Sequence, residues 1–279
     1  MSETEDAARE PRQSSNQKNL IMSLGKGLRV LEAFTADCPE QTQTDIARRT
    51  ELDNATVFRI LNTLVDLGYV RKVENSRHYR LTMKPLDLGF NAIARMDLRS
   101  LAQPELRELV GSVREAASLG ILDGMDVVFI DRVQVPGIQL TVDIHIGSRI
   151  PASCTAIGQA ILAFRPEHEI RHVLAEYDRT KNNQPATMTL EQIRQRLADV
   201  HSCGYALADS SFIAGLRVLA APILGPDGFA TASLSVAAPA IRMPLPEFMA
   251  ITVDPLLQAT ARINKGLLAA RRIVSRRTP

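Results

Sequence analysis

The sequence predicts an α+β protein built in two parts, and three observations carry that prediction. Apolar residues recur at helical spacing from Leu24 to Leu67, a short arginine-rich alternating segment follows at once, and from Ser118 onward apolar strands meet at glycine-containing turns with helices between them. At 279 residues the chain is long enough for two domains with separate cores. Its 45% hydrophobic and 23% charged residues are those of a soluble globular protein. The net charge of +2 does not indicate a polyanion partner, so a nucleic-acid reading has to rest on local charge.

No apolar run approaches the roughly 20 residues needed to span a bilayer, so no membrane partner is expected. The opening "MSETEDAAREPRQSSNQKN" is polar and Ser-rich, and residues 1–20 are expected to form a disordered tail rather than a signal peptide. A cytoplasmic protein is expected. Cys38, Cys154 and Cys203 are odd in number and far apart, which suits neither a disulfide framework nor a metal site. No cofactor is expected.

The elements follow in order. "MSLGKGLRVLEAF" predicts a helix over 22–34, with Leu24, Leu28, Leu31 and Phe34 at helical spacing and Ser23 as N-cap. "TQTDIARRT" opens a second helix, with Thr42 and Asp45 in a capping-box relation and Ile46 and Ala47 inward. "ELDN" breaks it. Asp53 caps a third helix that buries Val57, Ile60, Leu61 and Leu64 and stops at Gly68. "YVRKVENSRHYRLT" predicts two short strands anchored by Val70, Val73, Tyr79 and Leu81. Residues 85–99 predict a linker helix, and "AQPELRELVGSVREAA" another, with Pro104 near its first turn. "SLGILDGMDVVFIDRV" is a hairpin turning at Asp123-Gly124, and "GIQLTVDIHIG" alternates as a half-buried strand, Ile138 to Ile146. Two helices follow, then a third opened by a Thr189–Gln192 capping box and closed at Gly204. A second hairpin turns at 225–228, and a long terminal helix ends in a basic tail, 271–279. The domains are thus read as 21–84 and 100–270.

The third helix carries the first functional motif. Burying its apolar stripe leaves Asn54, Ala55, Thr56, Phe58, Arg59 and Asn62 pointing outward. Asn and Arg side chains can read base edges, and Thr hydroxyls or helix N-termini can hold phosphates. The hairpin behind it sets Arg71, Lys72, Arg77, His78 and Arg80 against Glu74 alone. Helix, turn, helix and basic hairpin form a winged helix-turn-helix, with double-stranded operator DNA as the expected partner.

Here the sequence resembles a known family. "SLGKGLRVLEAF", "TDIARRTELDNATVFRILNTLVDLGYV" and "RHYRLT" resemble the N-terminal domain of IclR-family transcriptional regulators. "IGSRIPASCTAIGQAILA" and "GYALADSSFIAGLRVLAAPILGPDGFATASLSVAAP" resemble that family's effector-binding domain. The resemblance runs from residue 22 to about 268. It implies a GAF-like effector-binding domain with an antiparallel sheet, a homodimer or homotetramer, and Thr44, Asn54–Thr56, Phe58, Arg59, Asn62, Arg77 and His78 as DNA-facing residues.

The second motif is a pocket. In "PASCTAIGQAI", Ser153 or Thr155 stands where it would cap a helix, and in "TASLSVAA" Ser233 and Ser235 share one face of a strand, with Ala232, Leu234 and Val236 on the other. Paired hydroxyls in an apolar hairpin suit a small polar ligand. The resemblance implies an organic effector, a carboxylic or aromatic acid of a catabolic pathway. It extends the site to Cys154, Ala156, Gly158, Asp209, Ser210, Val218 and Ala220. Where family members carry an acidic pair, this chain has Ser210-Ser211, which makes that rim less negative.

Two further patterns invite enzymatic readings. "HEIRH" places His168 and His172 one turn apart with Glu169 between them, the arrangement of a zinc hydrolase, with Glu191 as a third ligand. Pro166 puts the pattern at a helix start among charged residues, and ordinary helix surface is the plainer account. Cys154 as a nucleophile lacks a nearby His or Asp in local sequence, and a small buried thiol is expected. A third reading keeps the DNA-binding head and leaves the second domain only oligomerisation. The sequence therefore points to a non-enzymatic regulator.

Overall fold

The computed structural model describes residues 20–94, 97–135, 144–180 and 188–275. The chain divides into two compact units, Met1–Ala92 and Ile93–Pro279.

In the first unit, α1 (Met22–Glu32), α2 (Gln43–Thr50) and α3 (Asn54–Asp66) close around Val30, Phe34, Ile46, Val57 and Leu61. The reciprocal cap of α2 is in place. The Thr42 hydroxyl accepts from the Asp45 N–H, and the Asp45 carboxylate accepts from the Thr42 N–H. Asp53 caps α3, accepting from the Thr56 N–H at 2.8 Å. The helix stops at Gly68, whose φ of +77° lets Tyr69 N–H reach back to the Leu64 carbonyl. The start of α1 differs from expectation. Ile21 occupies the N-cap, Ser23 lies inside the helix, and no side chain caps it.

The wing pairs β2 (Val70–Lys72) with β3 (His78–Leu81), and β1 (Glu40–Thr42) adds a third strand in the order β1-β3-β2. This strand was not foreseen, because three residues are too few to show an alternation. Buried Gln41 fixes it by donating from its amide to the Ala33 carbonyl at 2.6 Å. The expected linker helix falls across two elements, α4 (Lys84–Ala94) and α5 (Asp97–Val113).

The second unit is built on a six-stranded antiparallel sheet in the order β6-β5-β4-β9-β8-β7. Its strands are β4 (Ala116–Asp123), β5 (Asp126–Val133), β6 (Arg149–Pro151), β7 (Ala206–Asp209), β8 (Leu216–Leu224) and β9 (Ala230–Pro239). Helix α5 and the terminal α9 (Leu245–Ser275) cover one face, where Leu106 and Phe248 meet Leu119, Leu219 and Leu234. Helices α6 (Ala156–Leu162), α7 (Glu167–Thr180) and α8 (Leu190–Cys203) cover the other, where Ile157, Ile161 and Ile193 meet Phe129 and Ala220. The Thr189–Gln192 box opens α8, and Gly204 at φ +84° closes it. No described helix is long and apolar enough to cross a membrane.

Several boundaries are corrected. Helix α5 begins at Asp97 rather than Ala102, so Pro104 lies inside it, on the exposed side where the carbonyl deprived of its partner can meet water. It also ends earlier, because Arg114 takes the left-handed conformation (φ +57°) and β4 starts at Ala116. The short strands β6 and β7 went unread. Of the expected strand from Ile138 to Ile146, residues 136–143 lie outside the described residues, and Ile144 to Ile146 are turn and irregular chain.

Helix α6 sits hard against the turn before it. A Cβ on Gly158 would stand 2.2 Å from the Ala152 carbonyl oxygen and 2.3 Å from its Cα. Backbone cannot yield as a side-chain tip can. Gly158→Ala is expected to cost about 1–3 kcal/mol, read as a lower midpoint in denaturant; an unchanged midpoint would show that α6 can back away freely.

Glu115, between α5 and β4, is fully buried with its carboxylate 3.3 Å from Arg242. Burial pushes its pKa up by more than Arg242 draws it down. The folded chain then holds this proton where the unfolded chain has lost it, so stability falls as pH rises above the ordinary carboxylate range. Glu115→Gln is accordingly expected to raise the melting temperature more at pH 7 than at pH 4. Equal differences at both values would mean the buried charge is not penalised.

Candidate functional sites

The first site is the outer face of α3. Val57, Leu61 and Leu64 are buried and Ile60 is partly buried, so the helix cannot rotate without emptying the core. Asn54, Ala55, Phe58, Arg59 and Asn62 are exposed, and Thr56 is half-buried with its N–H held by Asp53. Phe58 keeps 48% of its surface in water. Gln43 ties the two helix starts together by donating to the Asn54 carbonyl at 2.9 Å. Thr44, in the first turn of α2, is exposed beside them.

On the wing, Arg71, Lys72, Arg77 and His78 are exposed, and the Ser76 hydroxyl stands 2.8 Å from His78 Nδ1. Arg80 departs from the sequence reading, for it is paired with Glu40 across the β1–β3 ladder at 3.3 Å. The hydrogen bond from Thr42 holds Asp45 below the usual carboxylate range, and that from Thr56 does the same for Asp53. Both caps therefore stay ionised at neutral pH. Leu24 and Leu28 of α1 remain 60% and 51% exposed, lining with Leu67 and Leu88 an apolar groove of about 790 Å³.

The second site is a cavity of about 40 Å³ between the sheet and α6. Four of the residues singled out from sequence line it: Thr155, Ala156, Val218 and Ser235. Others surround it without lining it. Ser233 is fully buried, and its hydroxyl donates to the Ala221 carbonyl at 2.9 Å. Gly158 is occupied by packing on Ala152. Ser153 and Ala220 are buried, and Cys154 is half-buried in the turn before α6. Asp209 is exposed and paired with Arg217 at 2.7 Å, and Ser210 is exposed at the start of a loop. Thr155 takes the N-cap position of α6, but its hydroxyl donates to the Pro151 carbonyl and caps no N–H.

Sequence reasoning missed the cavity's strongest polar group. Arg132 of β5 lines it beside Ser118 of β4, to whose hydroxyl it donates at 3.0 Å. Ser118 pairs with Arg132 on one side and with Ser235 on the other, so the three stand in one row across adjacent strands. The signal that hid Arg132 is a β-bulge. Leu119 lies opposite Asp131 and Gly120 opposite Phe129, leaving Ile130 as the extra residue. Simple alternation would send residues 129 and 132 to opposite faces. The bulge turns Ile130 and Asp131 toward α5, where Asp131 pairs with Arg99 at 3.1 Å, and both Phe129 and Arg132 line the cavity.

The enzymatic patterns do not assemble. His168 and His172 are exposed on α7, and Glu169 is engaged by Arg165 at 2.7 Å. Among the described residues no three His, Cys, Asp or Glu are grouped to hold a metal. Burial pushes the Cys154 thiol up, against the pull of its bond with Ser153, which keeps it protonated at neutral pH.

Comparison with known proteins covers both parts of the chain. Residues 23–74 match the IclR helix-turn-helix domain, and residues 90–264 match the C-terminal domain of the bacterial transcriptional regulator IclR. The Pca regulon regulatory protein of Pseudomonas putida is 32% identical over 218 residues, 78% of this chain and 74% of that one. A transcriptional regulator from Rhodococcus sp. RHA1 superposes with a TM-score of 0.78 at 33% identity, covering 90% of this chain and all of that one. An IclR homologue from Microbacterium hydrocarbonoxydans, solved in complex with 4-hydroxybenzoate, superposes with a TM-score of 0.74 at 27% identity, covering 88% and 99%. The chain belongs to the IclR family of transcriptional regulators, DNA-binding proteins under the control of small organic effectors.

Proposed function

We propose that α3 enters the major groove of operator DNA, with Arg59, Asn54 and Asn62 facing base edges, Phe58 facing a thymine methyl and Arg77 and His78 on the backbone or minor groove. The observation that carries this is a polar and aromatic face held immobile by the core behind it, with an exposed basic wing at its side. Thr44, Ala55 and Thr56 complete the face that meets the duplex.

We further propose that a small organic acid occupies the cavity at Ser235, Thr155, Ala156 and Val218. Its binding changes operator affinity, and by linkage the operator complex binds it with correspondingly altered strength. The relative crystallised with 4-hydroxybenzoate supports an acid of this kind. A polar row inside an otherwise apolar wall favours a ligand site over a purely oligomerising domain. The ion pair that occupies Glu169 argues against a hydrolase. The protein is proposed to act in the cytoplasm as a homodimer or homotetramer, and the exposed Leu24–Leu28 groove supports association of copies.

Arg59→Ala is expected to weaken operator binding by about 1–3 kcal/mol with unchanged melting, measured by gel shift on the gene's own upstream DNA against random competitor. Retained specific affinity would remove Arg59 from the reading face. In the same assay Ser235→Leu, which fills the cavity, is expected to bind operator but lose any response to small carboxylic acids. Ser233→Ala should keep that response while losing about 1 kcal/mol of stability. A response that survives Ser235→Leu or vanishes in Ser233→Ala would move the ligand site.

A further inference from the structure

We propose that Gln43 is a further specificity-determining residue, whose amide joins a phosphate of the operator to the main chain of Asn54 and so sets the start of α3 in the groove. This rests on α3 being the reading helix. Gln43 is the first residue of α2, and its Nε2 donates to the Asn54 carbonyl at 2.9 Å. A carbonyl only accepts, so the bond fixes which end of the amide is the nitrogen. One N–H is spent in this way. The other N–H and the amide oxygen have no partner among the described residues. The side chain is half-exposed and reaches from beside exposed Thr44 to exposed Asn54, so both groups stand on the side assigned to DNA.

The place of Gln43 in the motif selects a phosphate over a base edge. In a helix-turn-helix the first helix crosses the backbone while the second reads the bases, and Gln43 belongs to the first. The carboxylate in the same turn, Asp45, accepts from the Thr42 hydroxyl and pairs with Arg48 at 2.9 Å, so it does not face the strand as an unpaired charge. An amide free to rotate loses side-chain entropy when it meets a phosphate, and this one is already held by Asn54. The same amide thus grips both the DNA backbone and the residue that opens the reading helix. Its removal weakens binding to any duplex, and weakens it further where Asn54 contributes to the reading.

The test titrates the full-length protein on the gene's own upstream DNA and on a random duplex at several salt concentrations. Gln43→Leu, which keeps the bulk and removes the hydrogen bonds, is expected to bind operator about 10-fold more weakly. Its salt slope and melting temperature are expected to stay those of the wild type, since an amide carries no charge. Asn54→Ala is expected to cost less in the Gln43→Leu background than alone, because the two act as one unit. Gln43→Lys keeps a donor and is expected to restore operator affinity while steepening the salt slope by about one. Wild-type operator affinity in Gln43→Leu overturns the proposal, and so do independent losses in the double variant or an unchanged slope in Gln43→Lys. A weaker Gln43→Leu that also melts lower assigns the residue to the fold and overturns it too. A wild type that binds operator and random duplex alike undoes the reading of α3 itself.

Discussion

The second unit depends on one constraint: a six-stranded sheet covered by helices on both faces. Most side chains along β4, β5, β8 and β9 enter one of two buried layers, and alternation along the strand, shifted on β5 by its bulge, decides which. Leu119, Leu219 and Leu234 go to the layer under α5 and α9. Ser118, Ser235 and Ala220 fall to the layer under α6. Hydroxyls in the second layer must be satisfied there, and they divide by how they manage it. Ser233 is spent on a backbone carbonyl and belongs to the frame, while Ser118 and Ser235 border open space.

The first unit obeys a simpler rule. Its three helices share one small core, and the two helices of the reading motif start at side-chain caps formed within a few residues. Local capping fixes where α2 and α3 start, and Gln43 ties those starts together. Orientation of the outer face therefore follows from the buried stripe of α3 together with caps and a tie at its surface.

Much of this was readable in sequence, and the failures share a cause. Capping boxes at Thr42 and Thr189, the Asp53 cap, the Gly68 and Gly204 stops and both long hairpins all rest on local chemistry, and all appear. Strands β1, β6 and β7 escaped notice because three or four residues carry no period of their own. The exposed residues of α3 could be placed from helical geometry alone. Arg132 could not. Its direction depends on a register shift against β4, a non-local event that leaves no mark in the alternation of β5 itself. Asp209 failed for a related reason, since its partner Arg217 holds it at the sheet edge across a ladder that sequence does not display.

The backbone contact between Gly158 and Ala152 has a consequence for how this cavity can diverge. Its ceiling, α6, already touches backbone and cannot be lifted by trimming a side chain. Its floor offers Ala208, Val218, Ser235 and Ala237, which leave little to remove. Descendants of this protein that acquire bulkier ligands must therefore trim the larger side chains of the lining, Phe129, Ile144, Ile150, Phe212 and Ile213, while the floor drifts only among small residues.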